Sequence, residues 1–409
     1  MTERGSGRAA GTGRVPPVVY VLGACVFAMG TSEFMIAGLL PDIAADLGVS
    51  IPEAGYLISA FAVGMIVGAP LMAVLTLRLP RRTTLVGALL VVAAGQAAGA
   101  LAGGYGVLLA ARVVTAVAMG AFWAVAAVVT VASVPPGARA RALSVLLAGL
   151  TVSNVAGVPL GTLVGQQFGW RASFWLVGVL AVLGVGGVVA AVRRDAGGTA
   201  APRLGAELAT FRRVRLWIAL GTTALYQAAV IGLFSYVAPL ITDVAGLAPG
   251  WVPAVQLAFG LGGFAGVVLG GRIADAHPWA TLFGSLAAVV ALLAGIGLLA
   301  PVPVALGVLL VALGFTSFVI AAPLNARVFA LAGSAPTLAS AANTSAFNVG
   351  NALGPALGGV VIAAGLGFTA PAWVGVGLAA AAGGLGLLSW RLDRARPLAA
   401  HPVALAHGG

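Results

Sequence analysis

GTSEFMIAGLLPD, Gly30 to Asp42, closes an apolar run that begins at Val18. From Val18 to Leu40 the only charge is Glu33. Roughly 20 apolar residues cross a hydrocarbon core, so the run predicts a transmembrane helix with a carboxylate inside it. An ionisable group at that depth costs a few kcal/mol or more and marks function by default. The plainer alternative is an acid at the helix end, wetted by headgroups. Glu33 lies seven residues before Leu40, which at ~1.5 Å per residue sets it roughly 10 Å inside.

The rest of the chain has the same character. Of 409 residues, 61% are hydrophobic and 8% charged, too little charge to keep a soluble domain in solution. The composition predicts an all-α membrane protein. Apolar runs predict twelve helices, at 18–40, 54–77, 83–103, 105–132, 143–166, 172–192, 216–241, 251–273, 279–299, 303–327, 338–364 and 370–391. Arg193 to Arg215 is the longest polar interruption and divides them six and six. The expected parts are a tail 1–17, a lobe 18–192, a central loop 193–215, a lobe 216–391 and a tail 392–409. The basic tail could pass for a signal-peptide start, but the apolar run after it is too long, so the first helix is read as retained.

Arginine alone supplies the cations, and the net charge is +11. If the N-terminus is inside, 19 of the 21 arginines fall on inner segments. Only Arg112, within a helix, and Arg171, in an outer loop, do not. This follows the positive-inside rule with both termini cytoplasmic, so the basic charge reads as topology rather than as a nucleic-acid surface. One cysteine, Cys25, and three scattered histidines offer neither a disulfide framework nor a metal site. No phosphate-binding lysine loop or nucleophile triad is present, which argues against hydrolysis and ATP-driven transport. Clustered acids or histidines for lipid chemistry are missing, as is a repeated charged ring for a channel.

The two halves repeat. An offset of 198 sets Leu75 on Ile273 and Pro80 on Pro278; an offset of 196 sets Pro159 on Pro355. Two parallel six-helix repeats form the two-lobed transporter plan, with a site between the lobes. Polar groups read as facing that cavity are Asn154, Tyr226, Gln227, Asn343 and Asn348, with Phe34 beside Glu33; Phe122 and Trp123 offer aromatic faces.

At this point the chain resembles the major facilitator superfamily. LTLRLPRRTTL, Leu75 to Leu85, resembles its loop signature Gly-x-Leu-Ala-Asp-Arg-x-Gly-Arg-Arg. Arg78, Arg81 and Arg82 match, while Leu77 replaces the aspartate and Pro80 a glycine. The second-half copy keeps the acid as Asp275 but loses the arginines. Arg112, in LLAARVVTAVAMG, resembles the helix-4 arginine motif. Gly157, Pro159 and Gly161, and again Gly354 and Pro355, resemble the signature of the drug–proton antiporter branch, with Val158 and Thr162 in place of expected glycines. The Gly30 stretch resembles a subgroup that includes chloramphenicol exporters, and its pattern recurs among exporters of sugars and purine nucleosides.

The resemblance implies a monomeric, proton-coupled exporter of small amphipathic drugs in the bacterial cytoplasmic membrane. It implies no cofactor, since the proton gradient drives it. Its partners are the drug, protons and the lipid bilayer. Glu33 is the implied proton carrier, Arg112 tunes it, and Asp42 is a second carrier. Arg78, Arg81, Arg82 and Asp275 form a cytoplasmic gate. The alternative is the same fold exporting sugars or nucleosides.

Overall fold

The computed structural model describes residues 15–76, 79–193, 213–332 and 336–395, without the side chains of Ala73, Asp275, Ala332 and residues 336–340. Arg78 and nearly all of both tails and the central loop lie outside these residues. Twelve described helices are long and apolar enough to cross a membrane. They are α1 Pro17–Phe34, α2 Ile51–Leu75, α3 Arg81–Ala100, α4 Tyr105–Ala132, α5 from Arg139 to Phe168, and α6 Trp170–Ala191. The second half has α7 Val214–Phe234, α8 Trp251–Ala276, α9 Pro278–Leu299, α10 Pro303–Val319, α11 Pro336–Val361 and α12 Ala370–Ala395. An even number of spans brings the start of α1 and the end of α12 to one end of the bundle, here called the termini end.

The first helix is not the continuous 18–40 element that its apolarity predicts. It leaves α-geometry after Phe34, tightens into a 3-10 turn at Met35–Gly38, and restarts as a short helix Leu40–Leu47. Pro41 explains the restart: it has no N–H to donate and its ring crowds the preceding turn. The second half does the same. α7 ends at Phe234, and the chain turns before Pro239, which lies 198 positions after Pro41. α5 contains a π-helical turn, Ser153–Gly157, immediately before Pro159, which withholds a donor from the carbonyl of Val155. α10 also breaks, and continues as Ala321–Ala332.

Small residues bring α5 onto α1 and α11 onto α7. A Cβ on Gly157 would collide with the Thr31 hydroxyl. One on Gly354 would stand 2.5 Å from the Ala228 carbonyl and 2.7 Å from the Gly232 nitrogen. The motif glycines of the two halves therefore perform the same packing task in each lobe.

Among the described residues, the two lobes share one core at the far end, opposite the termini. There Met35, Ile36, Leu57 and Ile58 pack with Tyr236, Val237 and Leu240 in a single buried cluster. Toward the termini end each lobe has its own, around Leu22 and Leu146 in the first and Leu216 and Val328 in the second. The Ser59 hydroxyl donates to the Ala352 carbonyl across the seam at 2.8 Å. The lobes are thus fastened over the far half and part toward the termini.

Candidate functional site

Glu33 occupies the last turn of α1, where the break begins. A helix end leaves carbonyls without donors, and here a guanidinium supplies them. Arg112 of α4 is 1% exposed. Its Nη1 donates to the Ser32 carbonyl at 2.8 Å and its Nη2 to the Glu33 carbonyl at 3.3 Å. A cation suits the negative end of a helix. The ring of Phe61 from α2 lies 4.1 Å from the guanidinium carbon, a cation–π contact in a dry site. Gln96 of α3 donates to the Ser32 hydroxyl. Three helices of the first lobe, α2, α3 and α4, thus hold the turn of α1 that carries Glu33.

The carboxylate itself points elsewhere. Among the described residues the ion pairs are Arg171–Asp46, Arg215–Asp393 and Arg327–Asp393, so Arg112 holds the main chain of Glu33 rather than its carboxylate. Glu33 is only half-buried. Its Oε1 accepts from Asn351 Nδ2 of α11 at 3.2 Å, and Asn351 Oδ1 accepts from Gln227 Nε2 of α7 at 2.8 Å. A polar chain therefore crosses from the first lobe to the second.

Most of the amides expected at the cavity find partners within their own lobe. Asn154 donates to the Leu150 carbonyl, one turn back on α5. Asn348 donates likewise to the Thr344 carbonyl, and Asn343 to Asn325. Tyr226 is buried, with its hydroxyl committed to the Ser317 carbonyl at 2.6 Å. Of this group only Gln227 joins the chain to Glu33. Phe34 is half-buried next to it, Trp123 is half-buried, and Phe122 is fully buried in the first-lobe core, closed to any ligand. Asp42 is exposed in the first turn of Leu40–Leu47. Arg81 and Arg82 open α3, half-buried, and Asp275 lies in the last turn of α8.

Sequence reasoning missed Ser32, Phe61, Gln96 and Asn351. Asn351 had a signal. An offset of 197, one more than that of the two prolines, sets Gly157 on Gly354 and Asn154 on Asn351, an amide in each half three residues before a motif glycine.

A family profile described as the Major Facilitator Superfamily matches residues 22–346. The chain belongs to that superfamily. It is a multi-pass membrane transporter and not an enzyme. It is 44% identical over 362 residues to a chloramphenicol resistance protein of Streptomyces lividans, covering 88% of this chain and 92% of that one. It is 38% identical to the inner membrane transport protein YdhP of Escherichia coli, over 87% of this chain and 90% of the relative. Its fold is similar to that of a bacterial homologue of the human lysosomal transporter Spinster in an inward-facing, unoccupied conformation. The TM-score is 0.72 at 18% identity, covering 93% of this chain and 98% of that one. Among the described residues of the spans, the acid at the seam between the two lobes is Glu33; Glu53 lies in the first turn of α2 and Asp393 in the last turn of α12.

Proposed function

We propose that this protein is a proton-driven exporter of small amphipathic molecules, phenicols first among them. One observation carries the proton coupling: Glu33 is half-buried at the lobe seam, hydrogen-bonded to the opposite lobe. Its partner there, Asn351, is neutral. A carboxylate so placed can take up and release a proton as the lobes move. The likeness to the chloramphenicol resistance protein supports the substrate class, as do the Val, Ala, Phe and Met side chains of the spans. The arginine asymmetry supports cytoplasmic termini, and the separated lobes then admit drug from the cytoplasm or inner leaflet. A proton arriving from outside neutralises Glu33. Drug and proton each shift the lobe equilibrium by their different affinities for its two states.

The test is export from inverted vesicles under an imposed pH gradient. Glu33→Gln mimics the protonated carboxyl and cannot release a proton, so gradient-driven phenicol export is expected to stop. Undiminished export would show that the proton travels elsewhere. Export of sugars or nucleosides is the second reading, favoured by the amides along α11, Asn343, Asn348 and Asn351. Growth of an efflux-deficient host on chloramphenicol, florfenicol and toxic sugar or nucleoside analogues separates the two.

A further inference from the structure

We infer that Asn351 is the positioning residue through which the second lobe senses the charge of Glu33, and that their bond locks the unloaded carrier. The inference rests on the reading of Glu33 as the proton carrier. The two residues stand 318 positions apart and face each other across the seam. Asn351 is 6% exposed. Its amide has one orientation that serves both neighbours. Gln227 Nε2 occupies Oδ1, so Nδ2 is left for Glu33. The next residue, Ala352, takes the Ser59 hydrogen bond from α2. Residues 351–352 are therefore a fastening point, and opening the far end breaks both bonds.

A hydrogen bond to an ionised carboxylate is roughly twice as strong as one between neutral groups. Ionised Glu33 therefore favours the fastened seam, and a proton on Glu33 loosens it. Such coupling is reciprocal by thermodynamic necessity. Among the described residues, the charged group beside Glu33 is Arg112. It belongs to the first lobe and is tied to the main chain of α1, so it moves with Glu33 and does not register separation of the lobes. α2 offers the Phe61 ring and the Ser59 hydroxyl, α3 the Gln96 amide, and α7 the Gln227 amide, all uncharged. An exporter that exchanges drug for proton must not switch empty. A bond strongest when Glu33 is ionised supplies that restraint.

The experiment uses the full chain in lipid nanodiscs, with Cys25 replaced and nitroxide labels at Ala45 and Ala248, both exposed near the far end. Label distances are measured from pH 5 to pH 8.5 without drug. The sealed population of the otherwise unmodified protein is expected to fall as the pH drops. Asn351→Leu, of similar volume, is expected to lose that pH dependence and populate the open seam at every pH. Gln227→Met, which leaves Asn351 free to turn, is expected to weaken the dependence and guards against a folding defect in the first variant. If Asn351→Leu keeps the full pH dependence while Glu33→Gln loses it, the inference fails and the carrier reading stands. If Glu33→Gln keeps the dependence, the carrier reading fails with it. A sealed population that does not respond to pH in the unmodified protein also overturns the inference.

Discussion

Arg112 shows how a buried charge can serve architecture and chemistry together. Its fork spans two successive carbonyls at the end of α1 while its face rests on Phe61. A lysine keeps the charge but supplies neither the planar fork nor the stacking surface. Arg112→Lys therefore leaves one of the two carbonyls short of a donor, and a buried acceptor without a partner costs about 1–3 kcal/mol. The expected result is a lower thermal unfolding midpoint in detergent than the unmodified protein, with normal membrane insertion. An unchanged midpoint would mean that a point charge suffices.

At the scale of elements, helices are positioned by what they lack. α5 approaches α1 because Gly157 has no side chain to meet Thr31. Gly157→Ala is expected to lower the yield of folded, monodisperse protein. Thr31→Ala in the same chain is expected to recover part of it by removing the hydroxyl in the way. The recovery is incomplete, because Phe27 Cε2 stands 3.2 Å from the added carbon. Strict additivity of the two changes would contradict the contact. The short helix Leu40–Leu47 is held to the start of α6 by charge. Arg171 pairs with Asp46, Trp170 Nε1 donates to the same oxygen at 3.2 Å, and Arg171 lies over the Trp170 ring. The hydrogen bond from Arg171 keeps the Asp46 carboxyl below the usual carboxylate range. A depressed value in the folded state stabilises above the unfolded pKa of about 3.9 and loses that effect as pH falls through the folded value. Asp46→Asn should thus melt slightly earlier than the parent at pH 7, and the gap should close below about pH 4. The pair is exposed, so the gap is small and shrinks with salt. A gap that is constant from pH 3 to pH 7 would rule out the carboxylate as its source.

At the scale of the whole molecule, the far-end seam is closed but not perfectly satisfied. Gln256 of α8 is 1% exposed, and neither polar atom of its amide has a partner among the described residues. A Cβ on Gly38 would lie 2.7 Å from its nitrogen, which places the amide at the joint between α8 and the broken end of α1. Each such group costs about 1–3 kcal/mol in the closed seam. Gln256→Leu removes that cost, and the expected result is a higher unfolding midpoint together with slower export, because the sealed state deepens. A lower midpoint would show that the amide is satisfied in the membrane.

The sequence by itself determined the number of spans, the division into two lobes, the repeat and the presence of one acid inside the first apolar run. These rest on local quantities: the length of an apolar run, the position of a proline, the side on which arginines collect. It also marked Glu33 and Arg112 as an acid and an arginine set within apolar helices. Only the tertiary structure decided which groups they meet. Asn154, Asn343, Asn348 and Asn351 are alike as amides in apolar helices, yet three bond within their own lobe and one reaches Glu33. The break after Phe34 likewise needed Arg112 to take up the freed carbonyls. A polar group in a dry interior bonds to whatever donor or acceptor packing brings within about 3 Å. Between residues 318 positions apart, that neighbour is set by how the two lobes close on one another.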